Sequence, residues 1–271
     1  MPDHRPLILE QRDGDVVTLT FNDPDHRNAM TEAMGVDFAE RIGRLAADDS
    51  LRAVILTGAG RAFSAGGDMT MLEARAAEGR ARPGLARRPI RDTMRSFYTL
   101  FLSVRDLPCP TIAALNGHAI GAGFCVALAC DVRLAAAEGR FGLNFTRLGV
   151  HPGMAATWTL PRLVGPARAA ELLYTGRLVD GTEAAQIGLA NRALPTAEVL
   201  PAARALAAEM AIAAPLANRA TKRALARSLD ATIEDQLSFE ASEQAITFES
   251  EDVHEGLAAI QARRDPRFTG R

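Results

Sequence analysis

The chain has 271 residues, 48% of them hydrophobic, which is enough for one sizeable core or a core with a smaller appendage. A formal net charge of −2 supplies no field for nucleic acid, and three cysteines (Cys109, Cys125, Cys130) without a CxxC pair exclude a disulfide framework or a structural zinc module. The expectation is a soluble, reduced, cytoplasmic chain with no metal, because no apolar run reaches about 18 residues and "MPDHRPLILE" lacks the basic-then-apolar pattern of an export signal.

In chain order, "DVVTLTFND" alternates apolar and polar residues and predicts a half-buried strand. In "TEAMGVDFAERIGRLAAD", Met34, Phe38, Ile42 and Leu45 recur three or four apart, the spacing of an amphipathic helix. "LRAVILTGAG" is a continuous apolar run closed by glycine and predicts a strand buried on both faces. Residues 75–95 carry seven arginines with Gly and Pro and predict a solvated loop, with a lid over a ligand as the sharper reading. "TIAALNG" and "DVRLAAAEG" are two further strands, with a short helix over 121–130 between them. Strand, helix, strand implies a layered α/β core. From about Pro195 the periodicity is helical only, so the expected division is a core over 1–195 and a helical segment over 196–271.

Two glycine-rich turns carry the chemistry. "GRAFSAGGDMTML" has Gly66-Gly67 before a helix that Asp68 would open, and "GAGFCVALACDV" runs from Gly121 straight into an apolar helix. A helix start presents backbone N–H groups without intrahelical acceptors, its dipole favours negative charge, and glycine lets a ligand approach the main chain. Two such turns converging on one oxygen would make an oxyanion hole. The alternatives are weaker. "GAGFCV" lacks the third small residue of a dinucleotide fingerprint, and "FSAGG" is not a GxSxG nucleophile turn.

The blocks "NDPDHRNAM", "AFSAGGD", "NGHAIGAGFCVALACDVRLAA", "FGLNFTRLGVHPG" and "PRLVGPARAAELLYTGRLVDGTEAAQIGLANRAL" resemble, in order and spacing over roughly residues 8–265, the crotonase (enoyl-CoA hydratase/isomerase) superfamily. The resemblance implies an α/β spiral of β-β-α units followed by a helical segment that builds a homotrimer or a dimer of trimers. It also implies an acyl-CoA thioester as ligand, with coenzyme A entering as part of the substrate and no separate cofactor. By motif position the thioester oxygen would lie between the N–H groups of Gly67 and Ala122, while Arg27, Ala65, Gly66, Asp68 and Arg263 would contact the CoA moiety.

The same matching places Cys125 and Phe145 where hydratases of the family carry two glutamates, and Gly153-Met154 where other members place an aspartate. Phenylalanine transfers no proton, and a thiol does not replace a carboxylate pair. His151 and Glu73 are the remaining acid/base candidates. His151 has the alternative of fixing the turn before Pro152, His118 that of packing under the second glycine turn, and Arg147 that of meeting an acyl carboxylate. The readings left open are an enolate-stabilising enzyme without the glutamate pair, a decarboxylase of malonyl-type thioesters and a non-catalytic acyl-CoA-binding protein.

Overall fold

The computed structural model describes residues 5–271; residues 1–4, where the segment read for an export signal begins, lie outside the described residues. The chain opens with β1 (Ile8–Asp13) and β2 (Val16–Phe21), followed by α1 (Glu32–Ala46), whose Met34, Phe38, Ile42 and Leu45 are buried as their spacing requires. Three β-β-α turns of a spiral come next. They are β3 (Ala53–Gly58), β4 (Ala62–Ser64) and α2 (Met69–Ala81) with α3 (Arg87–Leu102), then β5 (Thr111–Leu115), β6 (His118–Ile120) and α4 (Ala122–Ala129), then β7 (Val132–Ala136), β8 (Arg140–Gly142) and α5 (Ala156–Val164). The fold ends with α6 (Pro166–Thr175), β9 (Val179–Asp180), α7 (Gly181–Gln186), β10 (Arg192–Leu194) and four helices, α8 (Thr196–Ile212), α9 (Pro215–Ser228), α10 (Ile233–Phe248) and α11 (Glu251–Ala262).

The first strand of each spiral turn joins one sheet and the second strand joins another. The larger sheet runs β1-β2-β3-β5-β7-β10 and the smaller β4-β6-β8-β9. Pairing from β2 to β10 is parallel, with β1 antiparallel at the edge; in the small sheet β9 is the antiparallel strand. Strand β3 is buried at all six positions, and its faces divide with period two. Val54 and Leu56 face the main core with Phe38, Phe63 and Phe101, whereas Ala53 and Ile55 face a second cluster with Val199, Ala203 and Ala207 of α8. Both faces being covered is why the segment reads as an unbroken apolar run.

One expectation changes. The loop expected over 75–95 is mostly helix: only 82–86 lie between α2 and α3. Arginine is a good helix former, and Arg75 and Arg82 pair with Glu78 while Arg88 pairs with Asp92 at helical spacing, so the charge run is a helix surface interrupted at Pro83-Gly84. Packing is continuous across residue 195. Helix α8 covers the outer face of β3, β5 and β7, and the helices that project beyond the sheets begin with α9.

Candidate active site

The first glycine turn is held by Asn28. Its backbone lies in the left-handed region (φ 55°), its side chain is fully buried, and its amide donates to the carbonyls of Ala59, Ala62 and Phe63. The Asn28 carbonyl accepts from the Ser64 hydroxyl (2.8 Å), which in turn accepts from the Gly66 N–H (3.1 Å). Met30 brackets the next residue, donating to the Gly66 carbonyl (2.8 Å) and accepting from the Asp68 N–H (3.2 Å). In such a bridge the flanking groups point one way and the central residue the other, so the Gly67 N–H faces away from Met30. It has no backbone acceptor among the described residues.

The second turn hinges on Gly121, whose φ of 52° and ψ of −120° suit glycine alone. Its N–H donates to the Gly142 carbonyl of β8 and its carbonyl accepts from Cys125 N–H, which locks the start of α4. Ala122, the first residue of that helix, has an N–H with no acceptor among the described residues, as expected in a first helical turn. The two turns abut. A Cβ on Gly66 would lie 2.7 Å from the Ile120 carbonyl oxygen and 3.6 Å from the Ala122 nitrogen. Gly123 seats α4 on Ser64, where a Cβ would come within 2.5 Å of the serine side chain. Two amides without a backbone acceptor among the described residues therefore stand at adjoining turns, each at or just before a helix start, where the helix dipole favours negative charge.

Beyond this pair the lining turns apolar. The Phe145 ring reaches the Gly121 turn, 4.0 Å from where a Cβ would stand, with the Asn144 side-chain oxygen beside it. Cys125, one helical turn past Ala122, is buried and donates its Sγ–H to the Gly153 carbonyl at 3.7 Å. Burial pushes this thiol well above the ordinary range, which keeps it protonated. Tyr98 of α3 lies over Gly153, and Met71 and Leu72 of α2 lie near Gly67. No carboxylate stands at position 125, 145, 153 or 154.

A family model described as enoyl-CoA hydratase/isomerase matches residues 11–271. The chain belongs to the enoyl-CoA hydratase/isomerase family. A Mycobacterium tuberculosis protein named "probable enoyl-CoA hydratase" is 40% identical over 268 residues, covering 97% of this chain and all of that protein. The 1,2-epoxyphenylacetyl-CoA isomerase of Escherichia coli is 32% identical over 266 residues, with 98% and 99% coverage. The crystal structure of an enoyl-CoA hydratase from Bacillus anthracis superposes with a TM-score of 0.89 at 32% identity, covering 98% of this chain and 100% of that one. The architecture is therefore the crotonase fold of that family.

In this enoyl-CoA hydratase/isomerase family member the other candidate residues fall in three places. Beside the first turn, Ala65 N–H donates to the Arg27 carbonyl (2.9 Å), and Asp68 caps α2 by accepting from Met71 N–H (3.0 Å). Arg27 is exposed and lines, with Arg61, Ala62 and His118, a depression of about 200 Å3. This basic depression escaped the sequence, where the three side chains are up to 91 residues apart; parallel pairing of β4 with β6 brings Ala62 opposite His118. His118 does not pack under the glycine turn but sits exposed at the start of β6, accepting the Arg140 N–H on Nδ1.

Farther out, His151 is exposed and its Nδ1 lies 2.8 Å from the Pro152 carbonyl, so that nitrogen carries the proton and braces the turn. Glu73 is exposed on α2, and Arg147 donates to the Thr175 carbonyl at the end of α6. Arg263 takes the left-handed conformation that ends α11. The structure thus brings Gly66, Gly67, Ala122, Cys125 and Phe145 together, while Glu73, His151 and Arg263 are exposed. Asn28, Ser64 and Tyr98 are the participants that sequence reasoning missed; a buried Asn in the N-terminal block and the Met94, Phe97, Tyr98, Phe101 spacing are the signals that point to them.

Proposed function

We propose that this chain is an acyl-CoA-processing enzyme that places the thioester oxygen between the N–H groups of Gly67 and Ala122 and stabilises an enolate there, without the carboxylate pair used for hydration. What carries the reading is the junction of two free amides with an acid-free acyl end, where Cys125 is held protonated and Phe145 fills the other position. Negative charge that develops on the thioester oxygen would meet donors already in place, worth roughly 3–4 kcal/mol for each. The proton transfers of its reaction do not pass through positions 125 or 145. The CoA moiety would run past Arg27, Ala65, Gly66 and Asp68, with Arg263 reaching it from a neighbouring copy in a homotrimer or dimer of trimers.

The test is hydration of crotonyl-CoA by the unmodified protein. Loss of one acid/base group typically costs about 10²–10⁴-fold, and two groups that act as a unit need not multiply. Turnover should therefore fall at least about a hundredfold below the roughly 10² per second of a competent enzyme. Turnover at that full rate would show that the proton-transfer groups lie elsewhere, and replacement of His151 and Glu73 would then identify them.

A further inference from the structure

We infer that Ser64 is a positioning residue for the amide pair: its hydroxyl fixes the direction of the first amide and seats the helix that carries the second. This rests on the enolate reading above. Of the successive amides at 65–68, that of Ala65 donates to the Arg27 carbonyl, that of Asp68 to the Met30 carbonyl and that of Gly66 to Ser64 Oγ. Gly67 alone in this run has no acceptor among the described residues. The Gly66 bond is the one made to a side chain, so it is the one that a substitution can remove. Gly66 has a φ of 98° and no Cβ, so the peptide planes on its two sides can swing. Met30 N–H holds the later plane through the Gly66 carbonyl, and Ser64 holds the earlier one through the Gly66 N–H. The Gly67 N–H shares its plane with the Gly66 carbonyl and points opposite to it, so holding both planes gives that N–H one direction.

Ser64 cannot turn away. It is fully buried, and its hydroxyl proton is committed to the Asn28 carbonyl at 2.8 Å. Gly123 of α4 closes over it, because a Cβ there would lie 2.5 Å from Ser64 Cβ and 2.6 Å from its Oγ. One hydroxyl therefore ties the N-terminal block to the first turn and lies under the first turn of α4, beside Ala122. Its removal would orphan a carbonyl and an N–H in a buried place, and rotation of the Gly66 planes would relieve them. A neutral carbonyl oxygen tolerates the misalignment; an oxygen carrying the enolate charge does not.

The experiment uses acetoacetyl-CoA, whose thioester enolate has its own near-ultraviolet band, so charge on the oxygen is read without turnover. At pH 7 the wild type should hold at least about tenfold more of it as enolate than free solution does. Ser64→Ala keeps its Cβ against Gly123 and should lose about five- to tenfold of that excess, the worth of one neutral hydrogen bond. Its dissociation constant for butyryl-CoA should change less than about threefold. Ser64→Cys, a weaker donor and acceptor, should lie between the two, and Gly123→Ala, which crowds Ser64, should also lose enolate. Ser64→Ala that binds butyryl-CoA and keeps the full enolate excess would overturn the role of Ser64 and leave the enolate reading intact. Equal weakening of both ligands would reduce Ser64 to packing. If Ser64→Ala does not fold, an unchanged excess in both Ser64→Cys and Gly123→Ala would overturn the role. A wild type that binds acetoacetyl-CoA with no excess enolate would overturn the enolate reading and Ser64 together.

Discussion

The role proposed for Ala122 belongs to its main-chain N–H, so a side-chain truncation cannot test it. Proline can, because it removes the N–H and is tolerated at the first position of a helix, where that N–H has no intrahelical acceptor. Ala122→Pro should keep its thermal midpoint within a few degrees while turnover of any accepted thioester falls by about 10²–10³-fold, the worth of one oxyanion donor. A folded variant with unchanged turnover would remove Ala122 from the site. The supporting residues obey a different logic. Asn28 spends its amide on three backbone carbonyls, so it shapes the first turn without approaching a ligand. Its type was visible in "NDPDHRNAM", but three acceptors at 59, 62 and 63 exist only once β3 and β4 have folded against it.

Among the elements, α9 shows how the C-terminal helices are attached. Lys222, the one lysine of the chain, donates from α9 to the Cys109 carbonyl (2.8 Å) and the Asp131 carboxylate (2.7 Å), which also accepts from the N–H and hydroxyl of Thr111. The ammonium therefore joins α9 to the starts of β5 and β7. Lys222→Met should destabilise by about 1–2 kcal/mol, because it orphans the Cys109 carbonyl while water partly compensates the half-exposed Asp131. A urea midpoint indistinguishable from wild type would show that the link contributes nothing. The helices α1, α4, α8, α9 and α10 and the strands β2, β3, β5 and β7 were legible, since each has its own periodicity or an apolar run. Strands β4, β6 and β8 were not, because three residues cannot display a period and their pairing partners lie far along the chain. Helix α3 was missed because its arginines outweigh its apolar stripe in composition, although Met94, Phe97, Tyr98 and Phe101 carry the spacing.

At the scale of the whole molecule, the C-terminal helices leave Leu225, Ile233, Leu237, Phe248, Leu257 and Ile260 exposed. Phe248, Leu257 and Ile260 line one depression among the C-terminal helices, and apolar surface gathered in this way marks an interaction face. The protein should sediment at about three or six times the 28.9 kDa of the chain, and polar replacement of Phe248 and Ile260 together should shift it toward monomer. A wild-type monomer at micromolar concentration would overturn the proposed trimer.

The sequence alone determined the α/β class, the doubly buried central strands, the two glycine-rich helix starts and the absence of carboxylates at 125 and 145, because each is written in local residue type and period. Only the tertiary structure decided that the two turns, about 55 residues apart, abut (Gly66 to Gly121), that the Cys125 thiol and the Tyr98 phenol both meet Gly153, and that α8 belongs to the packed core. These depend on parallel pairing of β4 with β6 and on α3 crossing the start of α4, long-range contacts that no local pattern records.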